Sequence, residues 1–485
     1  MASLNSLVVG LCGFWTVIAG CLFGLELKFS PFFGPNADFR AFQRRFMTGY
    51  LPCLFADSLQ APFLYYLYQS YGFLEGQIAV IYIFGLVSSL ICSLFGPRVL
   101  ARFGPRLLSL LMIGLGCIGC LLKLFPSYGL LLLSRAFDGA ASWLLSTAPQ
   151  QWYVNQHVSL LELPPAWLAK TARSSAIAGG FLAILAGIVA EFSEDLFRLT
   201  PAPFLAAVPL LLLGGALILK LWPESTPVAG PRPSELGVWA GLKRAGHTIA
   251  AQPTVALLAI IQAMFEAVLH MFIFMWTPLF LYYPTGGRRP FLGLIYASFM
   301  ASALCGTLLY KLLSRKLTAW HTLPVSVAVA FVSMCTAVTL MYPLAAQDNG
   351  SNWESPGKRA LLLATLCTYE LGVGLYFPTL ERLQHELLPV EHRNSILAIF
   401  RIPLNLIACG GLWALHGKDS AWGNFLLMSM SMILLALTVL AGILLLAVAV
   451  SPAAGHNLVA TRNFPGLTPS LPTSLRQAAL EDDDM

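Results

Sequence analysis

Residues 253–283 read PTVALLAIIQAMFEAVLHMFIFMWTPLFLYY, and one carboxylate, Glu266, lies near the middle of this apolar run. A helix needs about 20 mostly apolar residues to cross a bilayer, so the run predicts a membrane-spanning helix. A charge at the centre of such a helix costs on the order of 2.5–3.5 kcal/mol even on the mildest insertion scale. Glu266 therefore indicates a watery cavity or a charged partner at this depth.

Twelve other runs of the same kind are spread along the chain. The chain is 57% hydrophobic and only 11% charged, which agrees with many membrane spans. The runs are continuous rather than alternating, so they favour helices over barrel strands. They predict an all-α polytopic membrane protein. The runs lie near 2–27, 46–70, 74–96, 107–124, 128–150, 172–192, 202–222, 291–313, 321–343, 360–384, 393–416 and 421–450.

The basic residues predict the orientation of these helices. Of the 29 Lys and Arg residues, 20 fall in the connections on one side and seven, Lys123 among them, in the connections on the other side. The richer side is expected to be cytoplasmic. The net charge of +6 therefore reports membrane orientation rather than affinity for nucleic acid.

Two parts of the chain bear on its processing: the first run and one outer connection. No basic segment precedes 2–27, and Lys28 and Arg40 follow it, which predicts a retained helix with its N-terminus outside rather than a cleaved signal peptide. Asn349-Gly350-Ser351 is a glycosylation acceptor in a predicted outer connection. We therefore expect glycosylation at Asn349 and passage through the secretory route, with the plasma membrane as the expected location.

A polar, Pro-rich stretch divides the remaining twelve helices into two sets. We expect an extra N-terminal helix at 1–27, a six-helix half at 46–222, a cytoplasmic linker at 223–252 and a second half at 253–450. The segment 451–485 is expected to be a disordered cytoplasmic tail. Two six-helix halves with binding groups near the midplane are typical of secondary transporters.

Three strings resemble a known family. Gly96-Pro97-Arg98-Val99-Leu100-Ala101-Arg102-Phe103-Gly104-Pro105-Arg106 resembles the short basic loop of the major facilitator superfamily. Ala56-Asp57-Ser58-Leu59-Gln60-Ala61-Pro62 and Glu370-Leu371-Gly372-Val373-Gly374-Leu375-Tyr376-Phe377-Pro378 are similar to the molybdate-anion transporter branch of that superfamily.

The resemblance implies a fold, a substrate and gating residues. It implies the major facilitator fold with one extra leading helix, oxyanion uptake, and a gating role for Arg102, Gly104 and Arg106. Two positions depart from the pattern: Ala101 stands where the loop has an aspartate, and Gln150 where the branch has a glutamate.

A tetrahedral oxyanion needs positive charge and directed donors, and two arginines lie within the apolar runs. Arg135 is expected in the outer third of its helix and Arg401 in the inner third of its own. A planar guanidinium can bond two oxygens at once. Each arginine has a structural alternative, because Arg135 could pair with Asp138 at i+3 and Arg401 with Glu370. Neutral donors expected to line the same cavity are Gln60, Gln262 and Tyr376.

Carboxylates at similar depth cannot attract an anion while they are ionised. For Asp57, Glu266 and Glu370 we expect a coupling role, through carriage of protons or exchange of ion pairs with the arginines. The alternative is a fixed hydrogen bond to Gln60, Gln262 or a tyrosine. His270, one turn beyond Glu266, is more typical of a packing residue.

The chain shows no sequence motif of an enzyme or of a nucleotide-driven pump. It has no P-loop, no H-E-x-x-H and no nucleophile elbow, and its ten cysteines all fall in predicted helices as packing residues. We expect a monomeric secondary transporter for molybdate or a similar oxyanion, without cofactor or metal, working by alternating access with protons as possible partners. The alternatives are transport of sulfate, an organic anion or a sugar, or a membrane sensor or scaffold that has lost transport.

Overall fold

The computed structural model describes most of the chain. Its described residues are 4–29, 31–34, 36–164, 166–224, 238–281, 289–346, 356–389, 393–416 and 420–450. Asn349, the segment 225–237 and the tail 451–485 lie outside them, so the expectations placed on these residues stay predictions.

Within these ranges the chain is helical, and the described residues contain no β-strand. A 3-10 turn at Ala61–Phe63 separates the second and third helices, and a π-helical turn at Gln156–Leu160 follows the sixth. The helices are α1 (Leu4–Phe29), α2 (Ala37–Gln60), α3 (Leu64–Ser70), α4 (Glu75–Phe103), α5 (Pro105–Leu122), α6 (Tyr128–Asn155), α7 (Ala166–Phe197), α8 (Ala202–Leu221), α9 (Val238–Ala251), α10 (Pro253–Leu281), α11 (Leu292–Leu313), α12 (Ala319–Ala346), α13 (Pro356–Leu387), α14 (Arg393–Trp413) and α15 (Ser420–Val450).

The predicted all-α polytopic class is confirmed. Eleven of the described helices are long and apolar enough to cross a membrane. Two further predicted spans correspond to α2 with α3 and to α6. The short helix α9 was not predicted, and it lies within the stretch 223–252 that was expected to be a linker.

The break between α2 and α3 has a local cause. Pro62 has no backbone N–H and cannot continue the hydrogen-bond ladder of α2, so the chain passes through the 3-10 turn before α3 begins. Irregular backbone at membrane depth is tolerated where it lines a cavity. Asp57 and Gln60 lie in the last turn of α2, directly before this break.

The two six-helix sets meet along two helix pairs. Helix α7 packs on α11, and α4 packs on α14. Gly187 of α7 allows a close approach, since a Cβ there would lie 3.0 Å from the Cβ of Ala297 on α11. The additional helix α1 packs along α11 and also contacts α13. Each half therefore keeps its own bundle and presents one face to the other.

The basic loop between α4 and α5 is attached to its own half. Gly104 has φ +81°, a conformation that glycine adopts without strain, and Pro105 then begins α5. Arg106 donates to the carbonyl oxygen of Leu219 at 2.9 Å and pairs with Glu224 at 3.2 Å. Arg102 is exposed, with its guanidinium 5.6 Å from the Phe103 ring. These contacts fix the loop to the end of α8, and the gating role of its residues stays a prediction.

Candidate functional site: a charged cavity between the halves

A cavity of about 330 Å³ lies between the two halves. Most of its wall comes from α2, α4, α5 and α6, while His270 and Ile273 of α10 and Leu412 of α14 close the opposite side. Pockets of this size are in the range of small-molecule sites. The charged and polar side chains of its wall include Asp57, Gln60, Lys123, Arg135, Asp138 and His270.

Arg135 lines this cavity, as expected from its depth. Its Nη1 lies 3.4 Å from Oδ2 of Asp138, so the i+3 pair exists, and its guanidinium carbon lies 4.9 Å from the centre of the Tyr82 ring. Gly85 makes room for the group, because a Cβ there would lie 3.1 Å from Nη2. The Arg135 Nε–H finds no acceptor among the described residues, and neither does the buried Tyr68 hydroxyl.

Lys123 is a second cation of the cavity that the sequence analysis did not single out. It follows α5 in the predicted outer connection, but its side chain is only 1% exposed. Its Nζ lies 2.9 Å and 2.7 Å from the two carboxylate oxygens of Asp138, and it donates to Oε1 of Gln60 at 3.1 Å. A lysine directly after an apolar run is ordinarily an interfacial anchor, so the sequence carried no signal of this inward turn.

Asp57 and Gln60 lie on the α2 wall of the cavity. The Asp57 side chain is open to the cavity, and it has no hydrogen bond or ion pair within the described part of the chain. Gln60 instead donates to the carbonyl oxygen of Ala56 at 3.2 Å and accepts from Lys123. The fixed Asp57–Gln60 hydrogen bond that we considered is therefore not the arrangement in this structure.

A second polar cluster adjoins the cavity on the C-terminal half. His270 reaches the cavity wall, and its Nδ1 lies 2.6 Å from the Glu266 carbonyl oxygen, which can only accept. Gln262 accepts from Nε2 of Gln384 at 2.8 Å. Arg401 is within electrostatic range of the Glu266 carboxylate. No carboxylate of the described residues is close enough to Arg401 to form an ion pair.

Glu370 and Tyr376 lie away from the arginines. We considered Glu370 as the partner of Arg401, but the carboxylate near Arg401 is that of Glu266. Glu370 is buried on α13, in range of Tyr296. Tyr376 is fully buried, and its ring stacks on Phe265 with 3.8 Å between centroids. Neither side chain lines the cavity wall in this structure, so their roles stay predictions.

Comparison with known proteins places these features in a wider group. A family profile described as "Sugar-transporters, 12 TM" matches residues 8–355. A molybdate-anion transporter of Danio rerio is 36% identical over 413 residues, covering 80% of this chain and 82% of the relative. The corresponding transporter of Xenopus tropicalis is 34% identical over 437 residues, covering 89% and 92%.

Solved structures share the fold at much lower sequence identity. The nucleoside transporter NupG superposes with a TM-score of 0.59 at 13% identity, covering 84% of this chain and 98% of that one. The inward-open xylose transporter XylE from E. coli gives 0.55 at 14% identity, covering 82% and 94%. The fold expected from the sequence is thereby confirmed.

Proposed function

We infer the function from family membership, since the chain belongs to the molybdate-anion transporter branch of the major facilitator superfamily. We propose that it carries molybdate or a related tetrahedral oxyanion across a membrane by alternating access. The substrate is inferred from the names of the relatives. The two packed halves are the parts that would move relative to each other.

The position of the Arg135 guanidinium gives this proposal its strongest support. It lines the cavity at membrane depth, and its Nε–H lacks an acceptor among the described residues. A buried donor left unpaired costs about 1–3 kcal/mol. An oxyanion in the cavity would supply the missing acceptor, and the planar guanidinium could bond two of its oxygens.

Arg401 is proposed as a second anion contact, nearer the cytoplasmic end. It lies beyond the cavity wall on α14 and forms no carboxylate ion pair within the described residues. Pro403 interrupts the hydrogen-bond ladder two residues later. These features support a station on the path between the cavity and the cytoplasm.

Proton coupling is proposed from the charges of the cavity. The formal charges of Lys123 and Arg135 are balanced by those of Asp57 and Asp138 when all four groups are ionised. A dianion entering this neutral set meets no net attraction, so uptake of a proton by a carboxyl group would favour its binding. Asp57, and beyond the cavity Glu266 and Glu370, are the proposed coupling groups.

Molybdate uptake into proteoliposomes that contain only this protein tests the proposal. Molybdenum is measured by elemental analysis, with tungstate, sulfate, an organic anion and a sugar as competitors. We expect Arg135→Gln to lower uptake at least tenfold and Arg135→Lys to retain part of it, while Lys316→Gln in an exposed turn serves as the charge-loss control. Unchanged affinity in both Arg135 variants would remove Arg135 from the site. No flux with the wild-type protein would favour a sensor or scaffold instead.

A further inference from the structure

We infer that Lys123 and Asp138 form a displaceable ion pair within the anion site: Asp138 holds Lys123 in the empty carrier, and the incoming oxyanion takes the place of its carboxylate. This inference rests on the proposed function and adds Lys123 as a substrate contact that determines specificity for anions.

The contacts of Asp138 are those that an oxyanion would make. Both of its oxygens approach Nζ of Lys123, at 2.9 Å and 2.7 Å, and Oδ2 also faces Nη1 of Arg135 at 3.4 Å. One carboxylate thus bridges a cation on α6 and another at the end of α5. The oxygens of a tetrahedral oxyanion could span the same two cations.

A purely structural role explains this pair poorly. Removing two charges from water is unfavourable, and apolar replacements of buried ion pairs are often as stable as the pair. Lys123 is almost fully buried, and its only other side-chain acceptor in the described residues is the neutral Gln60. Because the pair faces the cavity, a role in ligand binding accounts for its presence better than a role in stabilising the fold.

The contacts of Lys123 limit which groups its ammonium can bond. Its ammonium group also lies over the Phe204 ring of α8, 5.3 Å from the ring centre. Its three N–H donors face Gln60 and the two oxygens of Asp138. An oxyanion can therefore bond Lys123 only when Asp138 releases it, so the two anions compete for one cation.

A double variant separates this inference from a structural ion pair. Lys123→Gln/Asp138→Asn removes both charges of the pair and leaves Arg135 within electrostatic range of Asp57, so we expect a folded, monodisperse protein whose molybdate uptake is at least tenfold below wild type. Lys123→Arg, which keeps the charge, is expected to retain uptake. Wild-type uptake in the folded double variant would show that the pair only supports the fold, and would overturn the inference.

A second measurement uses no variant of Lys123 or Asp138, so it still tests the inference if the double variant does not fold. In protein carrying 13C-labelled aspartate, molybdate is expected to shift the carboxylate bands of the infrared difference spectrum as Asp138 leaves Lys123. The Asp57→Asn background removes the other aspartate of the cavity wall. Absence of any shift with bound molybdate would overturn the inference. Absence of wild-type flux would instead contradict the proposed function, so the two failures are distinguishable.

Discussion

The carboxylate of Glu26 lies 2.7 Å from Nε of Arg173, and this ion pair joins α1 to the N-terminal six-helix half. Helix α1 otherwise packs along α11 of the other half. At its opposite end, Asn5 accepts from the backbone N–H of Phe291 at 3.3 Å. The additional helix is thus attached to both halves, which must move relative to each other in alternating access.

Glu26→Gln should weaken the attachment of α1. A hydrogen bond to a charged group contributes about 1.5–3 kcal/mol, and both side chains of the Glu26–Arg173 pair are nearly buried. We expect a lower midpoint of thermal unfolding in detergent. Glu386→Gln is the matched control, because it removes an exposed i,i+4 pair with Arg382 that contributes about 0.3–0.5 kcal/mol. Equal midpoints in the two variants would contradict a stabilising role for the Glu26 contact.

Arg289→Gln should favour opening at the end of the bundle that is predicted to be extracellular. Arg289 precedes α11 in the C-terminal half, and it pairs with three carboxylates at the end of α7: Glu191 at 2.9 Å, Asp195 at 3.2 Å and Glu194. Separation of the halves at this end must break these contacts. Spin labels at the outer ends of α7 and α11 are expected to report a larger population of long distances.

The control for the Arg289 experiment is Lys316→Gln, which removes a positive charge from an exposed turn and is expected to leave the distances unchanged. An Arg289→Gln distribution identical to that of the wild type would show that the ion pairs do not set the balance between the two states.

Gly85→Ala should weaken anion binding without unfolding the protein. The new methyl group would lie 3.1–3.3 Å from the Arg135 guanidinium, which must then shift by a few tenths of an ångström. We expect the KM for molybdate to rise severalfold with little change in thermal stability. Gly114→Ala on the same half is the control, since no atom lies within 4 Å of its Cβ position. A KM unchanged by Gly85→Ala would argue against a tightly positioned guanidinium.

Gly306→Leu should disrupt the packing of the C-terminal half. A Cβ at Gly306 on α11 would lie 2.9 Å from the Cα of Gly374 on α13 and would also meet the carbonyl of Leu371. Overpacking of this kind costs about 1–3 kcal/mol or more. The recovery of folded protein by size-exclusion chromatography is expected to fall sharply. Gly10→Leu on α1, where a Cβ meets nothing within 4 Å, should be recovered like the wild type.

Much of the architecture was predictable from local sequence. Each apolar run predicts its own span, because the cost of exposing apolar residues to water is set mainly by the run itself. Arg135, Asp57 and Glu266 could be singled out in the same way, as charges inside apolar runs. The strings around Asp57 and Glu370 also indicated the family.

The partners of those charges were decided only by tertiary structure. Lys123 was counted in an outer connection, yet it contacts Gln60, 63 residues away, and shares Asp138 with Arg135. Tyr376 was expected at the cavity and lies stacked on Phe265 instead. Hydrophobic burial acts along each segment, so the local amino-acid sequence is enough to establish which segments enter the membrane. Ion pairs and stacking depend on how separate helices are rotated and packed, and those relations exist only once the bundle has assembled.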